Sequence, residues 1–456
     1  MRLTTAEIAK ILGHDIPAMD VSLDKISTDS RTVGKGDLFI AIDGDNFDGH
    51  DFVADVINDK GAAAAIVQKP VVGVASDRLI IVPDTKRAYL QIGNYVRTHS
   101  GAKIIALTGS AGKTTTKEEL KFILSKFART YATEKNFNNT IGVAQTLCNI
   151  PHDAEIAIIE IGMSHAGEIA ELVPFIAPDI AIVTNVYPMH LENFANLNGI
   201  AHAKAEIFSG LAPDGIAIIN GDSMHADILT AAAHEKTNNI VEYGKKDLIS
   251  VSESENLIKV SSDIGDKSVS FALSGAGEHH VSNALCVLNV VNVLGIDVAS
   301  AAGTLKDFGA LDGRGKTHAL ELQNGGKWTL IDESYSAQPE SLKFAIKTLN
   351  KIKAAGRKIA VIGKMAEIGT QSQEMHIEIG RVLSDTDIDI VIGICPETKD
   401  ILSQLSDGMF EKYYFENNDG LENFLTGELL RAGDVVLIKG SHYGSKLFKT
   451  VERLLK

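Results

Sequence analysis

The segment from Lys103 to Leu124 constrains the fold of this chain more than any other. It opens with an apolar run, Lys103-Ile-Ile-Ala-Leu-Thr108, of the kind found in a buried strand. After a glycine-containing turn, four apolar residues recur at helical spacing: Leu120, Ile123, Leu124 and Phe127. A buried strand that leads through a tight turn into a helix is typical of a parallel α/β sheet.

The turn itself is Gly109-Ser-Ala-Gly-Lys-Thr-Thr115, and its composition matches a phosphate-binding loop. Small residues let backbone N–H groups point at phosphate oxygens, while Lys113 supplies a positive charge and the Thr114 hydroxyl is a ligand for Mg²⁺. Leu107 stands where the common form of this loop has its first glycine, so the loop is the shorter Gly-x-x-Gly-Lys-Thr variant. The alternative is an ordinary glycine turn before a helix. The predicted nucleotide contacts are Gly109, Ser110, Ala111, Gly112, Lys113, Thr114 and Thr115.

Alternation of strand-like and helix-like segments divides the 456 residues into three blocks. We predict an α/β protein with a small α/β N-terminal domain (1–100), a central doubly wound parallel-sheet domain that carries the phosphate loop (101–314) and a second doubly wound domain at the C-terminal end (315–456). The predicted strands of the three blocks are 38–42, 62–67 and 79–82; 103–108, 155–161, 180–186 and 215–220; and 328–332, 358–363, 389–394, 412–415 and 434–439. A helix over 445–455 is expected to close the chain.

Charge and composition exclude several classes of function. Lys plus Arg total 44 and Asp plus Glu total 59, so the formal charge is 44 − 59 = −15, which disfavours binding to nucleic acid or to an anionic membrane. The polar start and the lack of a long uncharged apolar run predict a cytoplasmic protein without stable membrane insertion. The three dispersed cysteines argue against a disulfide framework or a zinc site.

Two residues follow later strands and are candidates for the same edge of the sheet. Glu160 ends the apolar strand that follows the phosphate loop, and His190 follows the next one. The carboxyl ends of parallel strands meet at one edge, so both side chains are expected near the phosphates. The alternatives are a solvated glutamate and a structural histidine. A switch-type GTPase is disfavoured because the sequence lacks an Asn-Lys-x-Asp motif.

Beyond these residues, the chain resembles the Mur ligases over nearly its whole length. The motifs that carry the resemblance occur in the family's order: 108–114, Lys135-Asn-Phe-Asn-Asn-Thr-Ile-Gly142, Glu160-Ile-Gly-Met-Ser-His165, Thr184-Asn-Val-Tyr-Pro-Met-His-Leu-Glu192, Ala203-Lys-Ala-Glu-Ile-Phe208, 220–222, 279–285, Asp332-Glu-Ser-Tyr335 and Lys439-Gly-Ser441. Segments 27–32, 36–44, 47–52 and 363–369 most resemble the branch that acts on a completed tripeptide.

The resemblance implies an ATP-dependent amide ligase. Its N-terminal domain would bind the UDP-sugar-peptide, its central domain would be a P-loop ATPase, and its C-terminal domain would be Rossmann-like and help bind ATP and the acceptor. The ligase would add D-Ala-D-Ala to UDP-N-acetylmuramoyl-tripeptide through an acyl phosphate and so complete the cytoplasmic peptidoglycan precursor. We expect two Mg²⁺ sites and a monomer. Three alternatives stay open: a Mur ligase that adds a diamino acid, a folylpolyglutamate synthetase-like ligase, and a non-enzymatic ATP-gated binding module. A first domain of about 100 residues ahead of the loop disfavours the folate enzyme.

The resemblance also implies roles for individual residues. Lys113 would contact the β- and γ-phosphates, Thr114 and Glu160 would hold one Mg²⁺, and His190 would hold the second, together with Lys204 as a carbamate formed from CO₂. The remaining nucleotide contacts would be Asn283, Arg314 and Asp332. The expected substrate contacts are Ser30, Arg31, Phe47, Asp48, Gly49, His50, Asn138, Asn139, Tyr335, Lys439 and Ser441. Without the resemblance, the sequence indicates that Lys204 is a solvated helix lysine.

Five positions depart from the family pattern, and all but one lie in the predicted C-terminal domain. The departures are His280, Ser336, Gln338, Lys364 and His442. They bear on acceptor recognition more than on the ATP chemistry. The sequence leaves open whether the third peptide residue is meso-diaminopimelate or lysine.

Overall fold

A computed structural model describes residues 3–14, 20–44, 47–254, 257–274 and 277–456. Within these ranges the chain is an α/β protein with three sheets built mainly of parallel strands and one small antiparallel sheet. The predicted fold class is therefore confirmed. No membrane-spanning helix is found among the residues in these ranges.

The first sheet contains four short parallel strands in sequential order. They are β1 (Ile26–Ser27), β2 (Leu38–Ile40), β3 (Ala64–Val67) and β4 (Leu79–Ile81), and the accompanying helices are α1 (Thr5–Ile11), α2 (Val53–Asn58) and α3 (Thr85–Ser100). Helix α3 is capped at its start by Asp84, whose side chain accepts a hydrogen bond from the Arg87 N–H. It is capped at its end by Gly101, which has a left-handed φ of 70°. This left-handed residue is the usual way to stop a helix, and it turns the chain into the next strand.

The second sheet carries the phosphate loop and has the order β10-β9-β8-β5-β7-β6, all parallel. Its strands are β5 (Lys103–Thr108), β6 (Thr130–Ala132), β7 (Ile156–Glu160), β8 (Ile180–Val183), β9 (Ile216–Asn220) and β10 (Asn239–Tyr243). The helices of this part are α4 (Lys113–Leu124), α5 (Thr140–Cys148), α6 (Glu168–Ile176), α7 (Leu197–Ala205), α8 (Ala226–His234), α9 (Glu278–Val293) and α10 (Val298–Thr304).

Strand β5 shows why this sheet is covered on both faces. Ile104 and Ala106 pack into one hydrophobic cluster, whereas Ile105 and Leu107 pack into another on the opposite face. Alternate side chains of a strand point to opposite faces, so an uninterrupted apolar strand needs helices on both sides. The chain order changes direction beside β5, which lies between β7 and β8, and such switch points open a crevice at the carboxyl ends of the strands.

The third sheet has the order β14-β15-β19-β16-β17-β18, and only β14 runs antiparallel. Its strands are β14 (Lys316–Glu321), β15 (Lys327–Glu333), β16 (Lys358–Gly363), β17 (Ile390–Ile394), β18 (Glu411–Phe415) and β19 (Val435–Lys439). The helices are α11 (Pro339–Lys351), α12 (Ser372–Ser384), α13 (Thr398–Leu402), α14 (Leu421–Phe424) and α15 (Phe448–Leu454).

Several details differ from the sequence predictions. Every predicted strand is present, some shorter by one to three residues, but five parts of the sheets were not predicted: β1, β6, β10, β14 and the antiparallel sheet of β11 (Leu248–Ser254), β12 (Leu257–Ile264) and β13 (Lys267–Ser274). Helix α4 ends at Leu124, so Phe127 lies beyond it and is 41% exposed. The last helix begins at Phe448 and not at Ser445.

A buried ion pair joins the starts of two neighbouring strands of the third sheet. Asp434, directly before β19, is 1% exposed and accepts hydrogen bonds from the Arg357 guanidinium, from the Arg357 N–H and from the Arg431 N–H. Arg357 lies directly before β16. Burial opposes ionisation of Asp434, but these donors outweigh it and lower the pKa of the carboxyl group.

We expect Asp434→Asn to destabilise the C-terminal part of the chain by about 2–3 kcal/mol, because it leaves a largely buried guanidinium without its counter-charge. Urea unfolding followed by the fluorescence of Trp328 measures this effect. Trp328 is the single tryptophan of the chain and is buried in β15. Asp407→Asn is the control, since it removes an exposed ion pair with Lys412 from the same part of the chain. Equal unfolding midpoints for the two variants would contradict the prediction.

Candidate functional site

The loop between β5 and α4 has the backbone conformation that a phosphate cradle requires. Gly112 has a φ of 78° and precedes the first residue of α4, so this left-handed position favours glycine. A Cβ at Gly109 would collide with the Thr184 hydroxyl. The side chain of Lys113 bends back and donates from Nζ to the Gly109 carbonyl, at 2.6 Å. The α4 N-terminus and an ammonium group therefore face the same space.

Residues after β8 hold this loop in place. The Asn185 side chain accepts from the Ala111 N–H (2.8 Å) and donates to the Ala111 carbonyl (3.0 Å). The Thr184 hydroxyl donates to the same carbonyl, at 2.8 Å. Ser110 exchanges two hydrogen bonds with the backbone of Tyr187. The loop conformation is thus built before any phosphate arrives, which lowers the ordering cost of binding.

Glu160, the last residue of β7, is fully buried next to the loop. Its Oε1 accepts hydrogen bonds from Thr114 Oγ1 (3.1 Å) and Asn138 Nδ2 (2.8 Å). Its Oε2 accepts no hydrogen bond from the described residues and lies 3.6 Å from the buried ammonium of Lys117. A buried carboxylate with one oxygen that accepts no hydrogen bond can serve as a ligand for a hard cation.

Positive charge collects around this carboxylate. Burial lowers the pKa of Lys113, and the nearby guanidinium of Arg314 lowers it further, while the negative charges of Glu160 and Glu367 oppose the shift. Arg314 Nη2 donates to Thr114 Oγ1 at 3.3 Å, across 200 residues of sequence. The Arg314 guanidinium also lies 4.4 Å from the ring centroid of Tyr335. Arg314, which precedes β14, therefore reaches the phosphate loop, and Tyr335, which follows β15, packs against its guanidinium.

Asp332 holds the turn that carries Arg314. Its carboxylate is buried and accepts hydrogen bonds from the Gly313 N–H and from Ser334. Gly313 directly precedes Arg314, so Asp332 fastens the turn that carries the guanidinium. The side chain does not line the cleft, and its predicted nucleotide contact stays a prediction.

A cleft of about 1500 Å³ connects the loop with the third sheet. Most predicted site residues line it: Ser110, Ala111, Gly112, Lys113, Thr114, Thr115, Asn138, Asn139, Glu160, His190, Asn283, Arg314, Tyr335, Lys439 and Ser441. Four of the five departures also line it: His280, Ser336, Gln338 and His442. The structure therefore brings motifs from residues 110 to 442 to one place.

Three models of one protein family match successive parts of the chain. Residues 22–97 match the family model described as Mur ligase family, catalytic domain; residues 107–291 match the Mur ligase middle domain; and residues 320–442 match the Mur ligase, glutamate ligase domain. The UDP-N-acetylmuramoyl-tripeptide–D-alanyl-D-alanine ligase of Rickettsia prowazekii (strain Madrid E) is 36% identical over 447 residues, which are 97% of each chain. The chain belongs to the Mur ligase family.

Solved structures give the same result for this Mur ligase. A crystal structure of MurF from Acinetobacter baumannii superposes with a TM-score of 0.88 at 28% identity and covers 100% of this chain and 99% of that one. MurF from Thermotoga maritima in complex with ADP has a TM-score of 0.81 at 27% identity and covers 94% and 96% of the two chains. The family assignment therefore rests on sequence and on the whole fold.

The predicted substrate contacts of the N-terminal part of this Mur ligase lie apart from the cleft. Arg31 is exposed and pairs with Asp29 at 2.8 Å, and this pairing lowers the pKa of Asp29 to about 2. His50 is buried and its Nδ1 lies 2.6 Å from Asp48. Ser30, Arg31, Phe47, Asp48, Gly49 and His50 do not line the cleft, so their roles stay predictions.

Lys204 lies in the last turn of α7, and His190 precedes that helix. Lys204 is 1% exposed and does not line the cleft. Burial lowers its pKa well below the ordinary value, and the charge of Lys113 adds to the effect. Because its side chain is buried, Lys204 is not a solvated helix lysine. His190 lines the cleft, and its Nδ1 lies 2.6 Å from Glu367 Oε2.

Sequence reasoning missed four residues of this site: Lys117, Asn185, Glu333 and Glu367. Asn185 directly follows Thr184 in a motif whose histidine was singled out, so the same motif held the signal for it. Lys117 lies one helical turn after Lys113 and has no motif of its own. Glu333 forms a 3.0 Å ion pair with Lys439 in the cleft, a contact between two strands that no spacing rule predicts.

We expect Asn185→Ala to weaken binding of a non-hydrolysable ATP analogue about tenfold, because two hydrogen bonds that hold the loop are lost. Isothermal titration calorimetry measures the dissociation constant. Asn193→Ala is the matched control, since Asn193 donates one exposed hydrogen bond to the Ser164 carbonyl outside the loop. An unchanged dissociation constant for Asn185→Ala would show that the loop keeps its shape without this side chain.

Proposed function

We propose that the protein is an ATP-dependent amide ligase that joins D-Ala-D-Ala to the terminal carboxylate of UDP-N-acetylmuramoyl-tripeptide, with ADP and phosphate as the other products. The observation that carries the proposal is the single cleft that unites the phosphate loop, buried Glu160 and the Arg314–Tyr335 pair. The likeness to ligases named for this reaction, over 97% of the chain in one case, supports it. ATP use is supported by the phosphate loop and by the ADP complex of the Thermotoga relative.

In the first step, a carboxylate oxygen of the tripeptide attacks the γ-phosphorus of ATP and ADP leaves, which produces an acyl phosphate. The attacking group and the triphosphate are both anionic, so charge neutralisation and alignment are the main tasks of the protein. Lys113, Arg314 and the N-terminus of α4 converge on the region that the phosphates would occupy. Asn185 and Thr184 keep the backbone donors of the loop oriented toward it.

The residues beside the loop suit Mg²⁺, which would neutralise phosphate charge and polarise the transferred group. Glu160 has a buried oxygen without a hydrogen bond, and Thr114 Oγ1 lies next to its other oxygen. His190 is proposed for a second ion. No group of three or more His, Cys, Asp or Glu side chains suited to a metal occurs in the described ranges. A magnesium ion that is bound together with nucleotide needs only one or two protein ligands, so the donor set is sufficient.

In the second step, the amine of D-Ala-D-Ala attacks the acyl carbon, the amide bond forms and phosphate leaves. The ammonium group must first lose a proton. His279 and His280 line the cleft, and burial lowers the pKa of both imidazoles. The neutral rings can accept a hydrogen bond from the incoming amine, whose proton passes to solvent. We propose that the surrounding residues Tyr335, Lys439 and Ser441 contribute to the acceptor site.

The uridine diphosphate end of the substrate is assigned to the N-terminal surface with Ser30, Arg31 and residues 47–50. Its separation from the cleft is compatible with a long substrate whose two ends bind at different places. We propose a monomer as the functional unit and the cytoplasm as the place of the reaction.

The reaction is tested by phosphate release from ATP with a panel of acceptors and donors. We expect turnover only when a UDP-muramoyl tripeptide and D-Ala-D-Ala are both present. The panel contains dipeptide and tripeptide forms of the UDP substrate, with meso-diaminopimelate or lysine as third residue, each crossed with D-Ala, D-Ala-D-Ala and free diamino acids. Turnover with a folate and glutamate, or with the UDP-dipeptide and a diamino acid, would overturn the proposed function.

We further propose that Lys204 is carbamylated. Its side chain is buried, and an ammonium at this position would face the positive charge of Lys113. In the reaction, the neutral amine attacks CO₂, an N–C bond forms and one proton is released, so a cation is replaced by an anion with two oxygen donors. That change of sign suits a site that gathers divalent cations.

We expect enzyme stripped of CO₂ to lose activity and to recover it with bicarbonate, and we expect Lys204→Ala to be nearly inactive. A mass gain of one carboxyl group on the peptide that contains Lys204, after chemical trapping, reports the modification independently of turnover. Lys121→Ala, at an exposed position of α4, is the control. Wild-type turnover by Lys204→Ala, or activity that is insensitive to CO₂, would rule the carbamate out.

A further inference from the structure

His190 and Glu367 form a contact between two parts of the chain that have separate cores. His190 follows β8 in the central part, and Glu367 follows β16 in the C-terminal part. The distance from His190 Nδ1 to Glu367 Oε2 is 2.6 Å. Both residues have positive φ values, 55° for His190 and 62° for Glu367, which residues other than glycine seldom adopt. Two such backbones at the ends of one contact indicate a functional constraint.

The position of Glu367 is set by the C-terminal part. The N–H of Met365 donates to Nε2 of buried His376, at 3.2 Å, and the Nδ1 of His376 lies 2.7 Å from the Ser372 carbonyl. Ser441 Oγ donates to the Lys364 carbonyl at 3.1 Å. The loop 364–369 is thus tied to α12 and to the end of β19, and it moves with them.

The same loop rests directly on the turn after His190. Gly369 has a φ of 58°, and a Cβ built on it would lie 3.1 Å from the Cα and the Cβ of Glu192. A side chain at this position would be strained in its backbone and crowded against Glu192, so glycine is favoured. The contact between Glu367 and His190 is therefore accompanied by close packing two residues further along each segment.

We propose that Glu367 is a positioning residue that latches the C-terminal part of the chain onto His190 and orients its imidazole. The approach of Glu367 Oε2 to within 2.6 Å of Nδ1 fixes one edge of the imidazole, and His190 lines the cleft. The orientation of the ring is therefore tied to the docking of the C-terminal part. The contact between Glu367 and His190 does not depend on the proposed function. Only the catalytic consequence of orienting His190 rests on that function.

The latch is tested on the full-length protein without nucleotide or metal. Spin labels on cysteines introduced at the exposed positions Glu171 and Asp385 report the distance between the central and C-terminal parts. We expect a predominantly closed population in the wild type and about a tenfold lower ratio of closed to open molecules in Glu367→Ala. Glu367→Gln keeps an acceptor oxygen and should recover part of the closed population. Gly369→Ala, which leaves the ion pair residues unchanged, should also open the protein.

Glu374→Ala is the control, because it removes the same charge from an exposed position of α12. Its distance distribution should match the wild type. As a second readout, Glu367→Ala should raise the Mg²⁺ concentration for half-maximal turnover at least fivefold, with a smaller effect in Glu374→Ala. An entirely open wild type, or a Glu367→Ala distribution identical to that of the wild type, would overturn the latch. Failure of the substrate panel alone would overturn the proposed function and leave the distance result standing.

Discussion

The buried carboxylate of Glu160 is the constraint around which the site is arranged. A carboxylate without solvent needs compensation, and the surrounding groups supply it: Thr114 and Asn138 as hydrogen-bond donors and Lys117 as the nearby cation. Lys117 is itself fully buried and donates to the Lys135 carbonyl at 2.8 Å. Because one oxygen of Glu160 stays without a hydrogen bond, the arrangement is incomplete in the protein alone, as expected of a cation ligand.

The local charge balance explains how a chain of formal charge −15 can bind a triphosphate. Lys113, Lys117 and Arg314 surround Glu160, and Glu367 is the other carboxylate whose charge is felt at Lys113. Lys117 is paired with Glu118 at 3.0 Å as well as with Glu160. Lys113 and Arg314 are therefore the cations that serve the phosphate region of a molecule whose net charge is negative. Arg314 comes from a turn that is fastened by Asp332. The positive charge at the loop therefore depends on how the C-terminal part is docked.

Prediction from sequence succeeded where chemistry and local order coincide. The strand, loop and helix around Lys113 are encoded within about 20 consecutive residues, and Glu160 and His190 follow from the rule that parallel strands end at one edge. The sheet of β11, β12 and β13 was missed because β11 is polar and almost entirely exposed, and because polar residues interrupt the apolar positions of β12 and β13. Lys117 and Glu367 were missed because their function arises from contacts across the tertiary structure. The late start of α15 has a similar cause, since Ser445 is buried against Gly363 and Gly440.

The cores show which parts of the molecule are free to move. One hydrophobic cluster runs from Leu3 through α3 into the central sheet, and Gly93 of α3 lies close against Leu147 of α5. The N-terminal and central parts thus share apolar contacts that would be costly to separate. The C-terminal part has its own two clusters. Its polar contacts with the central part run from Arg314 to the phosphate loop and from Glu367 to His190, and Met375 of α12 is a partly buried apolar side chain that packs against both the first cluster and a C-terminal one. Polar contacts can be exchanged for water at low cost, so motion of the C-terminal part is the movement that this architecture favours. Closure would then bring Arg314 to Thr114 and Glu367 to His190 in one step, which couples assembly of the site to the docking of a single domain.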